Sequence, residues 1–149
     1  MYRPNALIKL LFEISDEKSQ PLLLDAQDKE GKTALHLALE NRHREVVQLL
    51  LERDANPNLA NPEGSTALHL ICKMHRPNAL IKLLFEISDE KSQPVLIDAQ
   101  DKEGKTALHL ALENGHMEVV QLLLGRDADP NLADKEGSTV LHIIIVRNH

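Results

Sequence analysis

Residues 101–111 read Asp101-Lys102-Glu103-Gly104-Lys105-Thr106-Ala107-Leu108-His109-Leu110-Ala111, and the tetrapeptide inside them recurs along the chain. Thr-Ala-Leu-His also starts at Thr33 and Thr66, and its variant Thr-Val-Leu-His starts at Thr139, so the spacings are 33, 40 and 33 residues. A glycine precedes each threonine by two positions, at Gly31, Gly64, Gly104 and Gly137. Self-similarity at such a period marks a stacked-repeat architecture and takes precedence over local secondary-structure signals.

A longer repeat encloses the shorter one. Residues 3–75 align without gaps to residues 76–148, and 59 of the 73 positions are identical. The fourteen differences cluster late, at Ala67/Val140, Leu70/Ile143, Cys72/Ile145, Lys73/Val146, Met74/Arg147 and His75/Asn148. A double-repeat unit has been duplicated, by nature or by an engineer.

One repeat reads as a pair of short helices. Thr33 is a good N-cap, and Leu35, Leu37, Ala38 and Leu39 supply an apolar stripe after it. Asn41-Arg42 marks a turn, and Val46, Val47, Leu49, Leu50 and Leu51 follow at helical spacing. Helices of about ten residues are marginal alone in water, so stacking of neighbours must supply the core.

Composition narrows the function. The 149 residues predict one domain, and 42% hydrophobic with 27% charged residues fit a folded soluble chain. No apolar run approaches the ~20 residues that span a bilayer, so no membrane role is expected. Net charge is −6, with lysines and arginines interleaved among acids, which argues against nucleic acid as a partner. Cys72 is the single cysteine, which excludes an internal disulfide and points to a reducing, cytoplasmic location. Tyr2, Phe12 and Phe85 are the only aromatics, so the core is aliphatic.

These residues resemble the ankyrin repeat, a unit of about 33 residues with a Thr-Pro-Leu-His-x-Ala motif. The third copy matches furthest, through Asn114-Gly115-His116-Met117-Glu118-Val119-Val120-Gln121-Leu122-Leu123-Leu124 to Ala128-Asp129-Pro130-Asn131. The resemblance covers essentially the whole chain. It implies an all-α solenoid of stacked helix-turn-helix units with β-turn fingers along one edge. The expected organisation is one domain over 1–149: a half repeat at 3–27, full repeats at about 28–60, 61–100 and 101–133, and a terminal half repeat at 134–149.

The chain departs from that pattern in four ways. Ala34, Ala67, Ala107 and Val140 replace the motif proline, whose loss costs up to ~1 kcal/mol per site. Asp54, Asp127 and Arg42 stand where the family usually has a glycine, so left-handed backbone is expected under side chains that tolerate it poorly. The 40-residue spacing needs seven extra residues, and the polar stretch Ser88–Pro94 reads as a longer loop. The stack opens on a second helix at Asn5–Phe12, matching Asn78–Phe85, and closes on the first helix begun by Thr139.

Those two ends read as complementary, and head-to-tail self-association through them is the alternative function; a fragment or variant with exposed ends is the plainer account. Such a contact is heterologous and builds open chains.

Catalysis finds no support in the motifs. His69-x-x-Cys72-x-x-His75 winds around a helix instead of converging, so it reads as framework and not as a metal site. His36, His69, His109 and His142 recur with the repeat, as do His43 and His116, which argues for structural duty. No phosphate loop, nucleophile elbow or metal motif is present, and no cofactor is expected.

Recognition of a protein partner is what remains. The resemblance places binding on finger tips and the exposed side of the first helix: Lys29, Glu30, Lys32, Glu40 and Asn41; Pro62, Glu63, Ser65, Lys73 and Met74; Lys102, Glu103, Lys105, Glu113 and Asn114; Lys135, Glu136, Ser138 and Arg147. An ordinary solvated charged face is the competing reading of these residues. The face lacks aromatic anchors, so binding through it should be modest and salt-sensitive, whereas salt-independent binding would implicate the leucine-rich ends.

Overall fold

Each recurring tetrapeptide begins a helix in the computed structural model, which describes residues 3–147. Thr33 Oγ1 accepts from the His36 amide at 3.2 Å while His36 Nδ1 accepts from the Thr33 amide at 3.0 Å. This is a reciprocal capping box in which histidine does what glutamate usually does. Thr106 and His109 repeat it at 3.3 and 3.2 Å.

The helices are α1 (Pro4–Glu17), α2 (Ala34–Glu40), α3 (Arg44–Glu52), α4 (Ala67–Cys72), α5 (Asn78–Glu90), α6 (Ala107–Glu113), α7 (Met117–Gly125) and α8 (Val140–Arg147). Among the described residues they are the only regular elements, so the fold is all-α. They form two layers. The first helices, α2, α4, α6 and α8, pack in sequence on one another, and the second helices, α1, α3, α5 and α7, pack likewise beside them. The main contacts among the described residues thus run between neighbours, as in a solenoid.

The core is aliphatic. Leu35, Leu39 and Val47 are buried in the first pair, Leu68, Ile71, Ile81 and Leu84 in the second, and Leu108 and Leu123 in the third. Both phenylalanines sit under an arginine: the Arg53 guanidinium lies 4.5 Å from the Phe12 ring centroid and that of Arg126 lies 4.0 Å from Phe85. Each arginine also grips a carboxylate with two nitrogens, Arg53 on Asp16 at 2.9 and 2.6 Å and Arg126 on Asp89 at 3.1 and 2.6 Å. The guanidiniums hold both carboxyls below their ordinary range.

The expected loop at Ser88–Pro94 is corrected. Ser88, Asp89 and Glu90 complete α5, which has thirteen residues against nine in α3 and α7, and the loop begins only at Lys91. The extra turn forms because Ile87 and Ser88 are buried and Asp89 is held by Arg126. Beyond it, Asn58 straps the loop down, donating to the Pro94 carbonyl at 3.0 Å and accepting from the Leu96 amide at 2.9 Å.

Left-handed backbone occurs where the missing glycines foretell it. Arg42 has φ 58°, Asp54 72° and Asp127 67°, while the duplicate of Arg42, Gly115, takes the same conformation at 71°. Ser19 and Ser92, after the two long helices, are left-handed as well.

Candidate protein-interaction face

Four five-residue turns project between helix pairs: Asp28–Lys32, Asn61–Ser65, Asp101–Lys105 and Asp134–Ser138. Their first and fifth residues are joined by an amide-to-carbonyl bond of 2.9–3.0 Å. The first side chain then braces the turn from within, its Oδ1 accepting from the amides of the third and fifth residues at 2.9–3.0 Å. Only a carbonyl-type oxygen is required, so Asn61 serves as well as the aspartates. The fourth residue is glycine at φ 77–80° in every turn.

Adjacent fingers are stitched together. Lys102 donates its amide to the Glu63 carbonyl at 3.0 Å, and Lys135 donates to the Glu103 carbonyl at 2.9 Å. The first pair of fingers lacks this stitch because Pro62 stands where the donor amide would be. Its ring instead packs over Gly31.

The charges on this edge are paired. Lys32 reaches Glu40 at 3.1 Å and Lys105 reaches Glu113 at 2.9 Å, each linking a finger to the end of its own first helix. These hydrogen bonds raise both lysines above their ordinary pKa. Between fingers, Lys102 meets Glu63 at 2.6 Å, which lowers the glutamate and raises the lysine.

Among the residues named from sequence, Lys29, Glu30, Pro62, Glu63, Lys102, Glu103, Lys135 and Glu136 are exposed on the fingers. Glu40, Asn41, Lys73, Asn114 and Arg147 are exposed at or just past the ends of first helices, where Asn41 and Asn114 donate to the Leu37 and Leu110 carbonyls at 2.8 and 2.7 Å. Lys32, Lys105, Glu113 and Ser138 are half-buried.

Two residues need correction. Ser65 is fully buried at 0% exposure, with its amide tied to Asn61, so it offers no contact surface. The Ser65 hydroxyl accepts from Lys73 Nζ at 3.5 Å, whereas Ser138, at the same finger position but with Val146 in place of that lysine, is half-buried. Met74 is half-buried against the core, and its carbonyl accepts from His116 Nε2 at 2.8 Å.

The structure also gathers residues that sequence reasoning passed over. A groove between the third and fourth fingers is lined by Glu103, Lys105, Glu113, Lys135, Glu136, Ser138 and Arg147, together with His142, Ile143 and Val146. The signal was available: Ile143 and Val146 are positions at which the two duplicated units differ.

The repeated histidines have structural partners. In His36, His69 and His109, Nδ1 accepts from a threonine amide, which leaves the proton on Nε2. Nε2 of His69 and His109 then donates into the next repeat at 2.9 Å, to the carbonyls of Lys105 and Ser138, while that of His36 donates at 2.9 Å to the Leu59 carbonyl at the end of its own repeat. Burial holds His69 below its ordinary pKa, partly offset by the Lys105 carbonyl. His43 and His116 are the N-cap residues of α3 and α7. Cys72 is buried, and burial pushes its thiol up to about 12, which keeps it from acting as a thiolate.

A two-layered helical stack with glycine-bent fingers along one edge defines a repeat solenoid. Profiles described as ankyrin repeats match residues 55–134, 91–149 and 17–86, and the chain belongs to the ankyrin-repeat family. It is 36% identical over 126 residues to the mouse (Mus musculus) B-cell lymphoma 3 protein homolog, covering 85% of this chain and 28% of that protein. It is 32% identical over 114 residues to the pig (Sus scrofa) NF-kappa-B inhibitor alpha, covering 76% of this chain and 36% of that protein. Human (Homo sapiens) inversin is 33% identical over 102 residues, 67% of this chain and 9% of its own length. The chain therefore spans about a third or less of these curated relatives. Among the described residues no helix is long and apolar enough to cross a membrane.

Proposed function

We propose that this chain is a non-enzymatic interaction module that binds a protein partner along its finger row and first-helix face, centred on the groove between the third and fourth fingers. The observation that carries the reading is the stitched row itself. Fingers two, three and four are locked to one another by backbone bonds and present Glu63, Lys102, Glu103, Lys135 and Glu136 to solvent in fixed relation. A preordered surface binds without the entropy cost of ordering loops. The relatives support it by kind: the NF-kappa-B inhibitor alpha is named for a protein it acts on. The single buried cysteine suits a reducing compartment, and we place the module in the cytoplasm.

The groove adds what the sequence reading lacked, the aliphatic side chains of Ile143 and Val146 among its charged lining residues. The partner surface is accordingly a mixed-charge segment with one or two aliphatic side chains. The test is capture of protein partners by the chain and by a Lys102→Glu/Lys135→Glu variant, at about 50 and about 500 mM salt. A partner held by the parent at low salt and lost both in the variant and at high salt supports the reading. Retention by the variant overturns it.

A further inference from the structure

The internal duplication places one helix sequence in two environments. Residues 5–17 and 78–90 are the same thirteen residues, Asn-Ala-Leu-Ile-Lys-Leu-Leu-Phe-Glu-Ile-Ser-Asp-Glu. In α5 this helix packs against α4, α3 and α7; in α1, among the described residues, its main packing partner is α3. The consequence falls on one face. Leu80, Leu84 and Ile87 are 4%, 1% and 6% exposed, whereas their duplicates Leu7, Leu11 and Ile14 are 48%, 51% and 40% exposed. At the other end α8 is the duplicate of α4, and Leu68 at 2% and Ile71 at 1% have the counterparts Leu141 at 63% and Ile144 at 38%.

We propose that a second copy of this chain covers these faces, its α1 docking on α8 as α5 docks on α4, and so continues the stack with a period of 73 residues. The internal joint is the template, because its polar pairs recur across the two ends. Glu63 pairs with Lys102 at 2.6 Å and Asp54 with Lys91 at 2.8 Å. Their counterparts are Glu136 with Lys29 and Asp127 with Lys18, all four exposed. His69 donates to the Lys105 carbonyl, and His142, whose Nε2 has no partner among the described residues, is placed to donate to the Lys32 carbonyl of the second copy. Gly64 lies against the Lys102 backbone, and its counterpart Gly137 faces open space that Lys29 of the second copy fills.

The contact joins two different surfaces, so it does not close on itself and extends into open chains. It is weaker than the internal joint because Ile145 brings a larger side chain to the place where Cys72 is fully buried. Association is therefore concentration-dependent.

The test is molar mass by size-exclusion chromatography with light scattering over about a hundredfold dilution, for the chain and for Leu11→Glu and Leu141→Glu. Both side chains face solvent in the single chain, so each variant keeps its helix content by circular dichroism. If Leu141→Glu loses helicity, Ile145→Glu, at a position 65% exposed, replaces it. The parent's mass should rise from 16.7 kDa past two copies as concentration rises. Each variant alone should stay at one copy, and an equimolar mixture of the two should stop at two copies, since one intact head and one intact tail remain. A parent that holds 16.7 kDa throughout overturns the proposal and leaves the faces to another occupant. So does a single variant that still self-associates, which would mean contact between like ends, or a mixture that stays at one copy.

Discussion

His69 Nε2 lies 2.9 Å from the carbonyl oxygen of Lys105, and this bond carries the second repeat into the third. The same ring accepts from the Thr66 amide at 3.1 Å, so a single side chain ties a helix start to a neighbouring finger. His69→Leu leaves the buried Thr66 amide without a partner and removes one of the two donors to the Lys105 carbonyl, which keeps the Asp101 amide, and should cost about 2 kcal/mol. His142→Leu, at an exposed ring, should cost under about 0.5 kcal/mol in dilute solution. Urea unfolding of both variants checks the contrast.

Acid should loosen the stack through that histidine. Burial lowers the His69 pKa in the folded state below the ordinary 6.5, so near that pH the unfolded chain binds more protons than the folded one. Its stabilising contribution is therefore complete above about pH 6.5 and declines as pH falls below it. The urea midpoint should drop between about pH 7.5 and about pH 5.5, and His69→Gln should flatten that slope. An unchanged slope in the variant would assign the acid sensitivity elsewhere.

Arg42 and Gly115 are duplicates that share a left-handed backbone, at φ 58° and 71°. A β-carbon in that region costs about 1 kcal/mol. Arg42→Gly should therefore raise stability by a fraction of about 1 kcal/mol, the unfolded-state freedom of glycine offsetting the rest. Gly115→Arg should lower it, with ordinary packing near Arg147 leaving backbone strain as the main term. Thermal or chemical unfolding of the pair measures both signs.

Gly64 and Gly137 separate strain from contact. Both have φ near 80°, yet a β-carbon on Gly64 would lie 2.6 Å from the Lys102 amide nitrogen, whereas one on Gly137 meets nothing within 4 Å. Gly137→Ala should cost about 1 kcal/mol, the strain alone. Gly64→Ala should cost about 3 kcal/mol, since it also forces two stitched fingers apart. Equal losses in the two variants would show that the finger contact contributes little.

Much of this fold was legible because its determinants are local. A threonine followed three residues later by histidine caps a helix with its own atoms, and a glycine two residues before it bends a turn that an Asp or Asn closes. Those bonds span five residues or fewer, so the spacing of Thr33, Thr66, Thr106 and Thr139 was enough to read them. The left-handed residues Asp54, Asp127 and Arg42 were legible for the same reason. The binding face was legible only as a row of finger residues. Ser65 drops out because it is buried at the finger base, where its hydroxyl accepts from Lys73 Nζ, and Ile143 and Val146 join because α8 brings them beside the third finger.

The tertiary structure decided what the repeat could not. Helix α5 runs a turn further than the polar character of Ser88–Glu90 suggests, because Arg126, thirty-seven residues away, holds Asp89 in place. The first two fingers lie unstitched and the rest stitched, because a proline in one finger removes the donor to its neighbour. Residues 5–17 and 78–90 make the limit plain. Their common sequence dictates a helix with an apolar face in both places, since the periodicity of its apolar residues acts within the segment. Whether that face is core or surface depends on which helices stand beside it, and Leu84 is buried while Leu11 meets solvent for that reason alone.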